Sequence, residues 1–133
     1  MRKIFAILLV SLIGFVAKAQ VPVATMTNSA SAIVNTGTVS ATKAVAKTYT
    51  TLTVQAVVTK VSGTLSTSAT AVLYGSLDGV NYTAIGADTL KMANQTTNTK
   101  FWYISPSKHY YYKVLYTGSG TMNATPVTYI MGK

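Results

Sequence analysis

Hydrophobic and polar residues alternate with period two through most of the chain after residue 49. In the clearest run, one face carries Leu52, Val54, Ala56 and Val58. The intervening positions are mostly Thr and Gln, which predicts a half-buried β-strand. Further runs cover residues 67–75, 81–85, 98–105, 109–118 and 121–131, and residues 109–118 are the strongest predicted strand of the chain. About six to eight short strands without helical periodicity predict an all-β fold, an antiparallel β-sandwich or a jelly-roll-like barrel.

The first twenty residues have the pattern of a signal peptide. Arg2 and Lys3 precede an apolar run over residues 4–17, and Ala17-Lys18-Ala19 supplies a small-x-small cleavage site. We therefore expect a signal helix in residues 1–19 and an exported mature chain that starts at Gln20. The alternative is a retained membrane anchor, although the run is shorter than the roughly 20 residues that span a bilayer. The segment also resembles signal peptides of exported flavobacterial proteins, which implies a cell-surface, periplasmic or extracellular location.

Residues 20–48 differ in composition from the rest. They are rich in Thr, Ser, Ala and Val and contain no aromatic residue. The stretches 31–34 and 39–41 flank a turn at Asn35–Thr38, which predicts a weak hairpin. We expect this N-terminal segment to add short strands to a β-sandwich domain formed by residues 49–133.

Charge and cysteine content limit the classes of partner. Residues 20–133 contain eight lysines, two aspartates and no arginine, which gives a formal net charge of +6. The lysines are scattered, whereas nucleic-acid sites usually have a basic stripe that contains Arg, so we expect no nucleic-acid partner. The charge favours weak attraction to acidic polymers such as surface polysaccharide. Without cysteine, the fold is stabilised by burial alone.

Few residues are suited to catalysis or metal binding. Asp78 and Asp88 are the only acidic residues, and His109 is the only histidine. Glycoside hydrolysis requires a carboxylate pair, and calcium binding usually requires several carboxylates. Transition-metal sites and Ser-His-Asp triads require more His, Cys or Asp in a suitable pattern. The sequence therefore predicts a protein without catalytic residues, metal ligands or a cofactor.

Asp78 and Gly79 are instead typical of a hairpin turn. They separate two alternating runs, and turns of this kind need positive φ at their central residues. The Asp78 side chain can also accept hydrogen bonds from the amides of its own turn.

The C-terminal half is rich in aromatic residues. Tyr and Trp concentrate at protein interfaces and stack on sugar rings. The alternative is a sandwich core with ordinary tyrosines at its rim. The predicted interaction surface consists of Trp102, Tyr103, Tyr110, Tyr111, Tyr112 and Tyr116. Alternation places Tyr112 and Tyr116 on the face opposite Tyr111, and Trp102 on the face opposite Tyr103.

Two sequence stretches resemble known families. "GSLDGVNYTAIG" (residues 75–86) resembles a hairpin of discoidin-type and other carbohydrate-binding sandwiches. Residues 58–86 and "YYYKVLYTGSGTMNAT" (residues 110–125) are similar to small β-sandwich proteins of the virion surface in phages of Bacteroidetes. Asp88-Thr89-Leu90 resembles the O-glycosylation motif of exported Bacteroidetes proteins, which implies modification at Thr89.

These observations predict an exported, non-enzymatic protein that acts by association. The leading hypothesis is a structural or adhesive surface protein that assembles with itself, with other structural subunits, or onto a larger particle or fibre, as the phage resemblance implies. The alternative is a small carbohydrate-binding module that uses Trp102 and exposed tyrosines. An enzyme would have to draw its chemistry from Asp78, Asp88 and His109.

Overall fold

The computed structural model describes residues 23–45 and 49–133 as two packed antiparallel β-sheets. The strands are β1 (Val23–Thr25), β2 (Thr27–Asn28), β3 (Ile33–Val34), β4 (Thr38–Ala44), β5 (Leu52–Ser62), β6 (Thr70–Ser76), β7 (Thr83–Ala84), β8 (Leu90–Lys91), β9 (Thr97–Ile104), β10 (Tyr111–Thr117) and β11 (Asn123–Gly132). The described residues contain no helix. The predicted all-β sandwich is confirmed, whereas the predicted signal helix and cleavage site lie outside the described residues.

Sheet A has the strand order β1-β11-β5-β9, and β3 also pairs with β11. Sheet B has the order β2-β4-β10-β6-β7, and β8 also pairs with β6. Sheet B has short strands at both margins, whereas sheet A has short strands only beside β11 and ends at the eight-residue strand β9. The two-residue β7 is all that forms in the predicted strand 81–85, because residues 77–82 make a broad loop.

The core lies between the sheets and follows the alternation of the sequence. Leu52, Val54, Ala56 and Val58 of β5 are buried, and so are the equivalent positions of β10 and β6. Tyr112, Val114 and Tyr116 supply the inner face of β10, opposite Ala71 and Leu73 of β6. Burial of these β-branched and aromatic side chains is the main source of stability in a chain without disulfides.

The described part of the N-terminal segment joins both sheets. Ile33 and Val39 are fully buried, but β3 pairs with β11 in sheet A while β4 pairs with β10 in sheet B. The predicted hairpin between these stretches is therefore wrong. The turn at Asn35, whose φ is +52°, instead carries the chain from one sheet to the other.

Pro126 lies within β11, a strand with neighbours on both sides. The side away from β5 is covered by β3 at residues 123–124 and by β1 at residues 129–131. Pro126 lies in the gap between these two short strands, so its missing N–H costs no ladder hydrogen bond.

Candidate interaction surfaces

The outer face of sheet A carries no charged side chain within its four strands β1, β11, β5 and β9, and Lys133 follows directly after β11. Its outward-facing residues are Val23 and Thr25 on β1; Thr125, Val127, Tyr129 and Met131 on β11; Thr53, Gln55, Val57 and Thr59 on β5; and Thr97, Thr99, Phe101 and Tyr103 on β9. Several are large, apolar and exposed, and Tyr103 is 79% exposed. A contiguous exposed surface of this kind is typical of contact with another molecule.

This face has an uneven relief. Tyr103 on β9 and Met131 on β11 lie on either side of the shorter Thr53 on β5. The Phe101 and Tyr103 rings are nearly parallel, with an angle of 16° and centroids 6.4 Å apart. Thr53 therefore lies in a depression between two bulky side chains, whereas the next row along the strands, Tyr129, Gln55 and Phe101, consists of large side chains throughout.

The loop between β6 and β7 is organised by Asp78. Its Oδ1 accepts hydrogen bonds of 2.8 Å from the amides of Val80 and Asn81, and from the Ser76 hydroxyl. The Asn81 side chain donates to Oδ2 at 2.7 Å. The Val80 amide, followed by Asn81 and Ser76, holds the pKa of Asp78 well below its usual range.

The expected backbone conformation of this turn needs correction at one position. Gly79 has a φ of +77°, but Asp78 is not among the residues with positive φ. A two-residue hairpin turn would require positive φ at both positions. The longer loop over residues 77–82 needs it only at Gly79, and Asp78 acts through its side chain.

A groove of about 500 Å³ opens on the outer face of sheet B, beside this loop. Its lining comprises Thr27, Thr42, Lys43, Ala44, Gly79, Tyr82 and Tyr111. A Cβ atom on Gly79 would lie 3.1 Å from the Tyr111 ring, so that ring packs directly on the glycine. The Lys113 Nζ lies 4.1 Å from the Tyr82 ring centroid and 5.2 Å from that of Tyr74. These cation–π contacts place an ammonium group among tyrosine rings.

The Tyr82 hydroxyl stays protonated in this setting. Partial burial raises its pKa, and the neighbouring Tyr111 and Asp78 raise it further. The groove therefore offers a neutral phenol that can both donate and accept hydrogen bonds.

Three residues of the predicted interaction surface belong to the core, and the prediction must be corrected for them. Trp102 is 5% exposed, and Tyr112 and Tyr116 are fully buried. Their polar atoms bond internally: Trp102 Nε1 donates to the Asp88 carbonyl at 2.8 Å, and the Tyr112 hydroxyl lies 2.7 Å from Ser107 Oγ. Buried Trp and Tyr side chains usually find such partners, which removes them from any external surface.

The other three predicted residues are accessible but do not form one site. Tyr103 lies on the outer face of sheet A, whereas Tyr111 lines the groove on sheet B. Tyr110 is exposed just before β10. Sequence reasoning did not assign Tyr82 or Tyr129 to a surface, although the period-two pattern of β11 already placed Tyr129 opposite the core.

The described residues contain no group of three or more His, Cys, Asp or Glu side chains suited to a metal ion. Asp78 is engaged in its loop, and Asp88 pairs with Lys100 at 2.6 Å. The His109 ring packs over Gly75, where a Cβ would come within 2.6 Å of the ring. In residues 23–45 and 49–133, no helix is long and apolar enough to cross a membrane.

Thr89 lies between Asp88, which bonds Lys100, and the buried Leu90. It is half-buried in the loop before β8. O-glycosylation at Thr89 stays a prediction.

No protein-family model matches this sequence, and no curated protein sequence matches it. The fold is similar to that of the PBSX exported protein XepA, with 15% identity and a TM-score of 0.57 over 84% of this chain and 36% of that chain. The protein thus spans about a third of XepA, and at this identity the likeness shows the fold alone.

Weaker similarity extends to other solved structures. A family 16 carbohydrate-binding module has 16% identity and a TM-score of 0.48, with 74% of this chain and 73% of that chain covered. The SPBc2 prophage-derived protein YomS has 14% identity and a TM-score of 0.47, with coverage of 86% and 94%. Structural neighbours thus include both carbohydrate-binding modules and phage-derived proteins.

Proposed function

We propose that this protein is an exported, non-catalytic structural or adhesive subunit that associates with a second copy of itself through the outer face of sheet A. Export rests on the sequence pattern of residues 1–19. Association rests on one observation above all, the uncharged outer face of four neighbouring strands with its exposed Phe101, Tyr103, Tyr129 and Met131.

Charge favours a second copy as the occupant of this face. Residues 20–133 have a formal net charge of +6, so two copies repel each other wherever their lysines meet. Lysines and aspartates are absent from the outward positions of β1, β11, β5 and β9. Two copies can therefore join here without burying or opposing charges, and Tyr, Phe and Met are enriched in such interfaces.

The relief of the face also suits a twofold contact. In a symmetric dimer the same patch is used on both subunits, so a surface must be complementary to itself. The Tyr103 side chain of one copy can lie in the depression at Thr53 of the other. Four strands spaced about 4.8 Å apart give a face less than about 20 Å wide, so we expect a small, weak interface.

The alternative of a carbohydrate platform built on Trp102 is not supported, because that side chain lies in the core. Two other tyrosines, Tyr82 and Tyr111, line the groove on sheet B.

The test is the mass of the purified protein across a hundredfold concentration range, measured by light scattering and sedimentation. We expect a concentration-dependent dimer that Tyr103→Ser abolishes, whereas the matched Tyr110→Ser leaves it intact. Gln55→Lys, which places a charge between Tyr129 and Phe101 on this face, should also abolish it, and Val80→Lys on an exposed loop should not. A monomer at all concentrations, or equal effects of each variant and its control, would overturn the proposal.

A further inference from the structure

We propose that the groove on sheet B is a binding site for an anionic polysaccharide. The groove lies on the opposite side of the sandwich from the uncharged face, so this inference goes beyond self-association and does not depend on it. It rests on Tyr82, Tyr111 and Lys43, which line one open concavity, and on Lys113, whose Nζ lies over the Tyr82 ring at 4.1 Å.

The aromatic part of the groove is held rigidly. Tyr111 belongs to β10, which pairs with both β4 and β6, and its ring packs on Gly79. Tyr82 is positioned by the loop that Asp78 closes. Two tyrosines from different elements are thus fixed before any ligand arrives, which lowers the entropic cost of binding.

The polar part of the groove matches a sugar. Thr27 and Thr42 line the wall, and their positions pair across β2 and β4. Their hydroxyls, with the phenols of Tyr82 and Tyr111, can donate to or accept from ring hydroxyls. Tyrosine faces pack against the apolar faces of pyranose rings. A concave site with aromatic walls and a few convergent polar groups is the usual form of a small-molecule or glycan site.

Charge selects an anionic glycan. Lys113 is held at the centre of sheet B against Tyr74 and Tyr82, and Lys43 is one of the residues that line the groove. The acidic neighbour of Tyr82 is Asp78, whose carboxylate accepts hydrogen bonds from Val80 and Asn81 of its own loop. An ammonium group forms short charge-assisted hydrogen bonds with carboxylate or sulfate. The ligand class is therefore a polysaccharide that bears such groups, and the excess of lysines over the whole chain attracts it from a distance.

The experiment measures binding of the full protein to alginate, dextran sulfate and uncharged dextran by calorimetry at physiological salt. We expect binding to one or both anionic polymers and none to dextran; the two anionic arms distinguish carboxylate from sulfate. Lys113→Gln should lower the affinity about tenfold or more, and Tyr82→Ser should do the same at unchanged charge. Tyr82→Phe keeps the ring and should retain most of the binding.

Lys91→Gln is the matched control, since Lys91 is exposed on β8 at the far end of β6. It removes the same charge and should change affinity less than about twofold. An equal loss with Lys91→Gln and Lys113→Gln would show diffuse attraction and overturn the proposal. Absence of binding to either anionic polymer, equal binding of uncharged dextran, or binding of duplex DNA with the same dependence on Lys113 would overturn it as well. Thermal unfolding of each variant confirms that the fold is retained.

Discussion

At the scale of single residues, Asp78 shows what an isolated carboxylate does in this fold. It accepts hydrogen bonds from two backbone amides and two side chains in the β6–β7 loop. Those bonds favour the ionised form and fix the loop that carries Gly79 and Tyr82. The carboxylate is therefore a positioning group for the sheet B groove.

Asp78→Ala should lower the free energy of unfolding, with a pH dependence set by the depressed pKa. Because the pKa is lower in the folded state, the stabilisation is present above the unfolded value of about 3.9 and declines as the pH falls through the folded value. Urea unfolding of both proteins at pH 7, 4 and 2 should show a difference that shrinks with acid. A difference that grows below pH 4 would contradict this assignment, and Asp88→Ala is the control for loss of a carboxylate elsewhere.

A second prediction at this scale concerns the buried pair Tyr116–Thr128. Their hydroxyl oxygens lie 2.6 Å apart in the core. Tyr116→Phe leaves the Thr128 hydroxyl unpaired and should cost about 1–3 kcal/mol, whereas the double variant with Thr128→Val should recover much of that loss. Denaturant unfolding of the wild type, both single variants and the double variant measures the coupling. An additive result would show that the hydrogen bond contributes nothing.

The same tyrosine affects stability in alkali. Burial raises the pKa of Tyr116 to about 12. Since its folded pKa lies above the unfolded value of about 10, the folded state loses stability as the pH rises from about 10 through about 12.

At the scale of elements, β9 is the outermost strand of sheet A as described, and long exposed edges invite pairing with other chains. The strand contains one charge, Lys100, which faces the core side and pairs with Asp88 at 2.6 Å. An inward-pointing charge is a known protection of a sheet edge. Trp102 bonds the same loop through the Asp88 carbonyl, so the loop is fastened to β9 at two points.

Lys100→Thr should therefore promote aggregation. The resulting strand would read TNTTFWYI, an uncharged run with high β propensity. We expect faster growth of light scattering and thioflavin T signal on mild heating, with Lys91→Thr as the charge-matched control. Aggregation of both variants at equal rates would attribute the effect to net charge alone.

These elements also show how far the sequence predicts the structure. In β5 the contrast between Leu, Val and Ala on one face and Thr and Gln on the other identifies the buried face correctly. Phe101, Trp102 and Tyr103 place bulky side chains on both faces of β9, so the alternation does not indicate which face is buried. The assignment of Trp102 to the core depends on the loop around Asp88, a contact that no local pattern encodes.

At the scale of the whole molecule, the two candidate surfaces arise from long-range pairing. The groove forms because β10 pairs with β6, which brings Tyr111 beside the loop of Tyr82. The uncharged face forms because β5 lies between β9 and β11. The sequence predicted the fold class and an aromatic surface. Which tyrosines lie on each outer face and which lie in the core depends on the strand pairing, which the sequence pattern does not show.

The two proposals together predict avidity. A dimer joined through sheet A would present two sheet B grooves on its outer sides, so one dimer can engage two sites on a polymer surface. Tyr103→Ser should then lower apparent affinity for a dense layer of immobilised acidic polysaccharide by about 10²-fold, because bivalent attachment is lost. Binding of a short acidic oligosaccharide in solution should not change, since each groove is intact.

Biosensor measurements on the layer and calorimetry with the oligosaccharide provide the two readouts, with Tyr110→Ser as the control. An equal loss in both readouts would place Tyr103 within the glycan site. Unchanged binding in both would mean that each subunit binds alone and that association through sheet A contributes nothing to attachment. The expected result is a loss of affinity for the layer only. It would show that both faces contribute to attachment: the outer face of sheet A forms the dimer, and the sheet B grooves bind the acidic surface.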